Sequence, residues 1–331
     1  MYESKPLKTL CLKPMMQLRC IDDPESGESA GDWLPLKQDW STRWCTLPER
    51  YMDGWVDLIS NFNTRDSDVF VVTFMKAGAT WMQELAWMLR HNLDFVSAAN
   101  KQSFLRCPYL EFSANNDSAK FHNTLKAADD LISPRVIKSH LPAQLLPLQI
   151  FQKNRKIIYV ARNPKDVIVS AFPFTTAIKM WQGDLDTFID EFLNDKVLYC
   201  SYWSHVIDFW RMRNNPNIFF VTYEEMKRDL KDVIQRLCKF LGVNELKECE
   251  MNPLLAYLSF DNMKKQEFLN PTDLVRKREN NLREDFDFMR RGIVGSYKED
   301  LTADQIAKID LWSHTCLSQY GICESDIFGK I

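Results

Sequence analysis

The chain has 331 residues, of which 45% are hydrophobic and 26% are charged, and this balance is typical of a globular protein rather than a disordered one. Its formal net charge of −3 lacks the basic excess that binding to a nucleic-acid backbone usually requires. We therefore expect no nucleic-acid partner.

The cysteines and the apolar segments exclude several further classes of protein. The nine cysteines are scattered and form no C-x-x-C pair, so neither a disulfide framework nor a zinc site is indicated. The first part of the chain has no continuous apolar segment of the signal-peptide kind, and nowhere does the sequence approach the roughly 18 apolar residues that span a bilayer. We expect a cytoplasmic protein with no metal ion and no membrane partner.

The sequence divides into two unequal parts. Residues 1–45 mix Pro, Ser, Gly and charged residues without a period, and this composition predicts a weakly ordered N-terminal extension outside the core. Residues 46–331 show no fixed repeat and no long low-complexity linker, so we expect them to form one domain.

From residue 68 onward, short β-branched and aromatic runs alternate with helical periods. This alternation predicts a single α/β domain in which a mostly parallel central sheet is flanked by helices. Helices are predicted at residues 80–90 and from Leu230 to Leu241, and residues 243–296 are predicted to form long loops. The predicted strands are residues 68–74, 135–138, 156–161 and 217–223.

The first predicted strand leads into a short turn of small residues, Met75 to Trp81, and then into a helix. This arrangement cradles phosphate on backbone N–H groups and a helix N-terminus, and Lys76 adds a positive charge. The spacing differs from G-x-x-x-x-G-K-[ST], and no Lys-Ser or Lys-Thr pair follows to hold Mg²⁺, so an ordinary nucleotide kinase is disfavoured. A tight turn that binds no anion is the alternative interpretation.

Two further segments have the composition of an anion pocket. Arg162 directly follows the third predicted strand, and Ser170 comes two helical turns later. Arg290 and Arg291 precede Gly292 in a segment that could close over a phosphate, because guanidinium groups make planar bidentate contacts with phosphate oxygens. For any one of these arginines, a solvated surface charge is the simpler interpretation.

His140 follows the second predicted strand, in the sequence Lys138-Ser139-His140. Histidine is the side chain whose ordinary pKa lies near neutrality, which suits a general base for a hydroxyl group. The carboxyl ends of parallel strands are also where ligand crevices form in open α/β sheets. A packed structural histidine is the alternative.

Five segments carry a resemblance to a known family when they are taken together. They are KAGATW (76–81), IKSHLP (137–142), VARNPKDVIVS (160–170), FVTYEEMKRDL (220–230) and MRRGIVG (289–295). In order and spacing they resemble the cytosolic sulfotransferases, over about residues 46–325. The resemblance implies transfer of a sulfuryl group from the donor 3′-phosphoadenylyl sulfate (PAPS) to a hydroxyl or amine of a small apolar acceptor such as a phenol, sterol or alcohol, on a P-loop-like fold.

The resemblance also assigns roles to residues. It implies that His140 is the acceptor's base, that Lys138 lies beside the developing charge, and that Lys76 contacts the leaving oxygen. The remaining donor contacts that it implies fall into three groups: Ala77, Gly78, Ala79 and Thr80 on the 5′-phosphosulfate; Trp81, Tyr223 and Phe260 around the adenine; and Arg162, Ser170, Arg290, Arg291 and Gly292 on the 3′-phosphate.

The chain departs from the family pattern at three places. Ala77 and Ala79 replace two hydroxyl residues of the phosphate loop, and Leu258 replaces a threonine on the adenine side. Ala303 and Ala307 replace residues of the family's C-terminal dimer motif, so we expect a monomer or a weak homodimer. The lost hydroxyls keep a second hypothesis open, namely a protein of the same fold that binds the nucleotide without transferring sulfate.

The acceptor is not defined by these motifs. Aromatic residues in several segments could line an apolar acceptor pocket, although core packing explains them equally well. These residues are Phe104, Tyr109, Phe172, Phe174 and Trp181.

Overall fold

A computed structural model describes residues 2–20, 40–115, 123–278 and 286–329. The central sheet has four parallel strands, β4 (Val69–Thr73), β5 (Val136–Ser139), β6 (Lys156–Ala161) and β7 (Ile218–Thr222). Their order across the sheet is β5-β4-β6-β7. The predicted α/β class and the four predicted strands are therefore confirmed, with ends that differ by one residue at most.

Both faces of this sheet are buried, which explains why its strands are continuously apolar in sequence. Phe70 and Val72 of β4 pack into one hydrophobic cluster, whereas Val69 and Val71 pack into a second cluster on the opposite face. Side chains alternate between the two faces of a strand, so a strand covered by helices on both sides needs apolar residues at every position.

Helices cover the sheet and form the rest of the domain. The two helices predicted from periodicity are confirmed as α2 and α11, and Gly242 ends α11 in the left-handed region at φ 70°. In the described residues the α-helices are α1 (Trp55–Ser60), α2 (Ala79–Arg90), α3 (Phe95–Ala99), α4 (Ser103–Arg106), α5 (Thr124–Asp129), α6 (Leu148–Gln152), α7 (Pro164–Ala177), α8 (Leu185–Leu193), α9 (Tyr202–Met212), α10 (Tyr223–Arg228), α11 (Leu230–Leu241), α12 (Glu248–Tyr257), α13 (Phe260–Lys265), α14 (Thr272–Arg278), α15 (Tyr297–Asp300), α16 (Ala303–Ser318) and α17 (Glu324–Phe328). Short 3-10 helices are formed by Trp40–Thr42, Glu49–Met52 and Ala143–Leu145. None of the described helices is long and apolar enough to cross a membrane.

The segment after Gly242 differs from its prediction, because α12, α13 and α14 occupy much of residues 243–296. Local capping explains these helices better than hydrophobic periodicity does. Glu250 accepts a hydrogen bond from the Lys247 backbone N–H at the start of α12, and Ser259 caps α13 by accepting from the Asn262 N–H.

The first residues of the chain also differ from their prediction. β1 (Tyr2–Leu7), β2 (Met15–Cys20) and β3 (Cys45–Pro48) form an antiparallel sheet in the order β1-β2-β3, so residues 2–20 are paired with the domain rather than weakly ordered. The physical reason is burial, because Met15, Met16 and Leu18 join the main hydrophobic cluster. Residues 40–45 of the predicted extension include the Trp40–Thr42 helix and the start of β3, whereas residues 1 and 21–39 lie outside the described residues.

A buried ion pair fixes the amino ends of β4 and β5. The Arg135 guanidinium donates two hydrogen bonds, at 2.8 and 2.5 Å, to the two carboxylate oxygens of Asp68. Both side chains are fully buried, and Arg135 also donates to the Ala128 carbonyl oxygen at 3.0 Å. A paired and fully hydrogen-bonded charge is the form in which burial is tolerated.

The packing of β2 predicts that the N-terminal sheet contributes to the stability of the whole domain. Leu18→Ala removes a side chain that is 0% exposed, and such truncations cost about 2–5 kcal/mol. Ser4→Ala on the exposed side of β1 is the matched control, for which we expect a change within about 0.5 kcal/mol. Urea unfolding followed by fluorescence measures both variants. Equal stability of the Leu18 variant and the parent would mean that β2 does not pack as described.

Candidate active site

The crevice of this protein lies at the carboxyl ends of the parallel strands. β4 is followed along the chain by β5 on one side, and the next strand, β6, pairs with the other side of β4. The two connections therefore leave the sheet in opposite directions around the end of β4, and a crevice opens at such a switch point. The segment after β4 is the predicted phosphate loop.

The backbone of the phosphate loop has a special conformation at two residues. Lys76 has φ 63°, and Gly78 has φ 110°, immediately before α2 begins at Ala79. A Cβ atom at Gly78 would lie 2.9 Å from the Tyr223 ring, so the loop approaches that ring as closely as a glycine allows. Ala77 is fully buried and Ala79 is 6% exposed, which places methyl groups where the family has hydroxyls.

The Lys76 ammonium lies among aromatic rings and cations. Nζ donates to the Phe288 carbonyl oxygen at 3.0 Å and lies 3.8 Å from the centroid of the Phe288 ring and 4.7 Å from that of Phe174. Burial, together with the positive charges of Arg162 and other cations, lowers the pKa of Lys76 to about 7. The repulsion among these cations favours the binding of an anion beside Lys76.

Arg162 connects the loop to the C-terminal part of the site. Its guanidinium donates to the Lys76 carbonyl oxygen at 3.1 Å and to the Ile293 carbonyl oxygen at 3.2 Å, and it lies 4.4 Å from the Tyr223 ring centroid. In the described part of the chain, Nε of Arg162 is buried without a hydrogen-bond partner. Buried polar atoms are almost always paired, so an orphaned donor here indicates a ligand position.

The two neighbouring arginines of the C-terminal segment have an internal partner. Arg290 donates to Asp300 at 2.8 Å, and Arg291 donates to the same carboxylate at 3.1 Å. A Cβ atom at Gly292, which has φ 65°, would lie 2.2 Å from the Phe260 ring. The segment therefore has Phe260 packed on its backbone, and its two guanidinium groups share Asp300, while Arg291 also pairs with Glu299 at 3.0 Å.

A carboxylate of α7 holds the next turn of this segment. Asp166 accepts hydrogen bonds from the N–H groups of Gly295 at 2.7 Å and Tyr297 at 3.1 Å, and from the Ser296 hydroxyl at 3.0 Å. Asp166 follows Arg162 in the chain and is fully buried. One acid therefore joins the two segments that carry the predicted second anion pocket.

The remaining residues predicted to bind the nucleotide are two aromatic and two hydroxyl side chains. Trp81 and Tyr223 meet edge to face with centroids 5.6 Å apart. Trp81 Nε1 is a second buried donor that has no partner among the described residues. Thr80 and Ser170 are partly exposed, on the first turn of α2 and the second turn of α7 respectively.

His140 is held in a defined orientation at the end of β5. Its Nδ1 lies 2.7 Å from the Thr73 carbonyl oxygen, which can only accept, so Nδ1 carries the proton and donates it. The lone pair is therefore on Nε2. Burial and the nearby Lys138 charge lower the pKa of His140 well below its usual value, so the imidazole is neutral at pH 7.

Lys138 is the second cation of this side of the crevice. Its Nζ lies 4.6 Å from the centroid of the Tyr109 ring. Burial lowers its pKa to about 8, although the Glu111 carboxylate opposes this effect. Lys76, Lys138 and His140 thus lie within one another's electrostatic range.

Sequence reasoning missed a cluster of polar groups beside His140. The Tyr109 and Tyr199 hydroxyls contact each other, Asn115 donates to the Tyr199 hydroxyl at 2.6 Å, and the Tyr51 hydroxyl donates to the Asn115 side-chain oxygen at 3.2 Å. The rings of Tyr109 and Tyr199 lie 5.1 and 5.7 Å from that of His140. Tyr199 follows no motif and has no sequence signal, because the fold brings it in from the segment between α8 and α9.

Of the five aromatic residues considered for an acceptor pocket, two lie at the candidate site and three lie elsewhere. Tyr109 lies beside His140, and Phe174 lies beside Lys76 and contacts Phe288 with centroids 5.5 Å apart. Trp181 is 2% exposed and packs on Phe188 in the core, as Phe172 also does. Phe104 lies on α4 and is 48% exposed.

Residues 66–321 match the sulfotransferase domain family. The chain belongs to that family. This sulfotransferase is 38% identical over 276 residues to the luciferin sulfotransferase of Photinus pyralis, an alignment that covers 78% of this chain and 74% of that protein. It is 35% identical over 281 residues to sulfotransferase 1E1 of Rattus norvegicus, with 83% and 88% covered. The 3-beta-hydroxysteroid sulfotransferase of Cavia porcellus is 32% identical over 255 residues, with 75% and 83% covered.

Solved structures show the same fold. A retinol dehydratase in complex with androsterone and the inactive cofactor PAP has a TM-score of 0.83 at 22% identity, with 98% of both chains covered. A mouse sulfotransferase in complex with PAP has a TM-score of 0.64 at 24% identity, with 84% of this chain and 94% of that chain covered. These structures show the α/β sulfotransferase fold, and the family match together with the sequence relatives makes the chain a sulfuryl-transferring enzyme.

The contact between Gly292 and Phe260 predicts unequal costs at two glycines of one segment. Gly292→Ala and Gly295→Ala both place alanine in the left-handed region, at φ 65° and 76°, which costs about 1–2 kcal/mol each. Only at position 292 does the new methyl group also meet a ring, and such overpacking adds typically 1–3 kcal/mol, whereas at 295 its nearest neighbour is 4.0 Å away. Denaturant unfolding of both variants measures the difference. Equal destabilisation would contradict the described packing of Phe260.

Proposed function

We propose that this sulfotransferase takes its sulfuryl group from PAPS and transfers it to a hydroxyl or amine of a small, largely apolar acceptor. The observation that carries the proposal is the state of His140. Its proton is on Nδ1 and is donated to Thr73, so an unprotonated Nε2 remains beside the cations Lys76 and Lys138. This is the arrangement that abstracts a proton from a nucleophile and stabilises the negative charge that develops on a leaving oxygen.

Two separate clusters of cationic side chains and hydrogen-bond donors support the proposal that the ligand is a nucleotide with two anionic groups. The first consists of the Lys76 ammonium and the backbone of Ala77, Gly78, Ala79 and Thr80 at the start of α2. The second consists of Arg162, with its orphaned Nε, and Ser170, Arg290, Arg291 and Gly292. The solved neighbours that contain PAP share this fold, and PAP is the nucleotide that remains when PAPS has lost its sulfuryl group.

In the second anion pocket, Asp300 pairs with the same arginines that we propose to bind the 3′-phosphate. It holds Arg290 and Arg291 together, and both side chains are partly exposed, so a phosphate can approach the same guanidinium groups. A phosphate carries more charge than a carboxylate and makes bidentate contacts with arginine. In the proposed complex, the 3′-phosphate of the donor takes over guanidinium N–H groups that the carboxylate holds in this structure.

The adenine is proposed to lie between Trp81, Tyr223 and Phe260. Phe260 rests on the backbone of Gly292, and Tyr223 rests on Gly78, so each ring is supported by a segment that also contacts an anionic group. Adenine is flat and apolar on its faces, and aromatic rings pack against such faces.

The proposed division of labour follows from these positions. PAPS supplies an activated sulfuryl group whose bond to the phosphate oxygen breaks during transfer. His140 Nε2 takes the acceptor proton, and its Nδ1–H bond to Thr73 holds the ring while the imidazolium forms. Lys76 stabilises the charge that moves onto the departing phosphate, and Lys138 lies beside the transferred group.

The lost hydroxyls at Ala77 and Ala79 keep a binding-only protein as the second candidate. Both methyl groups are buried in the loop, so neither position offers a side-chain donor. The retained Lys76, Lys138 and His140 favour transfer over binding alone. A nucleotide kinase is a third class, and it would require Mg²⁺, whereas the proposed sulfuryl transfer continues in the presence of a chelator.

The acceptor is proposed from the walls of the crevice and from the relatives. The rings of Tyr109 and Tyr199 lie beside His140, and the ring of Phe174 lies beside Lys76. Such surroundings suit an apolar molecule with one reactive hydroxyl or amine. The relatives are named for luciferin and 3-beta-hydroxysteroid, which are molecules of that kind.

We also propose a cytoplasmic location, which is supported by nine cysteines outside any disulfide, and a monomer or weak homodimer.

The second anion pocket predicts that the protein distinguishes PAP from AMP. Only PAP has a phosphate on the 3′-oxygen, so we expect it to bind at least tenfold more tightly, which corresponds to about 1.4 kcal/mol. Arg162→Ala is expected to weaken PAP and to leave AMP nearly unchanged. Titration calorimetry measures the four affinities, and Lys153→Ala, an exposed lysine on a different face, is the charge-matched control. Equal affinities for the two nucleotides would remove the second pocket from the proposal.

The state of His140 predicts a separation of transfer from binding. His140→Ala removes a base that typically contributes ~10²–10⁴-fold in rate, while PAP affinity should stay within about twofold. Because burial holds the His140 pKa below its usual value, the acid limb of the parent's pH–rate profile should lie well below pH 6.5, where the imidazole becomes charged. That acid limb should be missing in the variant. Transfer is measured by mass spectrometry with a phenol and an aliphatic alcohol, and parental rates with both acceptors would show that His140 is a packed structural residue.

A further inference from the structure

A buried carboxylate that the proposed mechanism does not use lies directly under His140. Glu111 belongs to the segment that follows α4 and runs beside β5, where Lys138 N–H donates to the Pro108 carbonyl at 2.9 Å and Leu110 N–H donates to the Lys138 carbonyl at 2.8 Å. Its side chain is 0% exposed. A carboxylate is among the most expensive groups to bury, so its partners indicate what it does.

Both oxygens of Glu111 bind the turn that carries His140. Oε1 accepts the His140 backbone N–H at 2.5 Å, and Oε2 accepts the Ser139 hydroxyl at 2.9 Å. The Ser139 oxygen in turn accepts the Leu141 N–H at 3.1 Å. One acid therefore fixes three consecutive residues at the point where β5 ends and the chain turns away from the sheet.

The imidazole itself is held from the other side. Its Nδ1 donates to the Thr73 carbonyl at the end of β4, whereas its backbone is bound by Glu111. The direction of Nε2 is consequently set by two hydrogen bonds from two different parts of the chain. Burial raises the pKa of Glu111 to about 7, whereas the hydrogen bonds from His140 and Ser139 and the charge of Lys138 oppose that rise.

We infer that Glu111 is a positioning residue for sulfuryl transfer, which orients the backbone of His140 so that Nε2 faces the acceptor. This inference rests on the proposed role of His140 as the base. A misplacement of about 1 Å in a catalytic group can cost ~10²-fold in rate, and a turn that has lost its central acceptor can move by that amount.

The first experiment compares two substitutions of the same residue. Glu111→Ala leaves the His140 N–H and the Ser139 hydroxyl without an acceptor, and we expect kcat to fall by about 10–10²-fold with PAP affinity unchanged. Glu111→Gln keeps one oxygen for the His140 N–H, so it should retain most of the rate. Ser139→Ala keeps the Glu111 bond to His140 and should resemble Glu111→Gln.

The stability control is a second buried acid at the opposite end of the sheet. Asp68→Asn weakens the buried pair with Arg135 and should destabilise the fold while leaving kcat at the parental value. If Asp68→Asn lowers kcat as much as Glu111→Ala does, the effect is one of general stability and the inference is wrong. If Glu111→Ala does not fold, Glu111→Asp takes its place, because the shorter carboxylate cannot reach both the His140 N–H and the Ser139 hydroxyl; a parental kcat in that variant would overturn the inference.

The second experiment tests whether Glu111 acts through His140. In the His140→Ala background there is no imidazole to orient, so Glu111→Ala should cost no further rate, as measured over long incubations by mass spectrometry. An equal loss in both backgrounds, or a parallel loss of PAP affinity, would overturn the inference. If His140→Ala alone has the parental rate, the proposed base fails instead, and the two failures are therefore distinguishable.

Discussion

The position of β4 between β5 and β6 is the constraint on which the site depends. The ends of β4, β5 and β6 supply Lys76, His140 and Arg162 respectively, and parallel pairing brings these three chain ends to one edge of the sheet. No loop has to carry a catalytic group across the molecule. The hydrogen bond between His140 and the Thr73 carbonyl is a direct product of this arrangement, because it joins the last residue of β4 to the first residue beyond β5.

The charge distribution of the site is opposite to that of the whole chain. The protein has a formal net charge of −3, yet the crevice gathers Lys76, Lys138, Arg162 and Arg290 within electrostatic range of one another. Such a concentration of partly desolvated cations raises the free energy of the empty site, and an anionic nucleotide relieves that repulsion. Asp300 offsets part of this repulsion, because it pairs with Arg290 and Arg291, whose side chains are partly exposed.

The sequence predicted those features that depend on local pattern. Continuous apolar runs identified the four parallel strands, periodicity identified α2 and α11, and the strand-turn-helix pattern located Lys76 and Gly78. The N-terminal sheet was predicted wrongly, because Met15, Met16 and Leu18 are separated from their packing partners by the long segment that precedes β3. The pairing of β1 with β2 is local, but the burial of this hairpin depends on β3 and on the main hydrophobic cluster, which lie farther along the chain.

The sequence indicated the lysines and arginines of the candidate site, but it did not indicate most of the site's acids and tyrosines. Glu111 stands in the apolar sequence Cys107-Pro108-Tyr109-Leu110-Glu111, and an acid in such a run is a signal that could have been used. Tyr199 and Asp300 offered no comparable signal, since their roles depend on the approach of distant segments. Periodicity also failed for α12 and α13, which are short and begin at polar caps.

Asp166 accepts three hydrogen bonds from residues 295–297, and these bonds hold one side of the proposed nucleotide site. They fasten the end of the C-terminal segment to α7, the helix that begins beside Arg162. The residues of this segment and of α7 that we propose to contact the 3′-phosphate are therefore connected through the side chain of one buried acid. Their relative positions are set by hydrogen bonds within the protein, and such preorganisation reduces the entropy lost when a ligand binds.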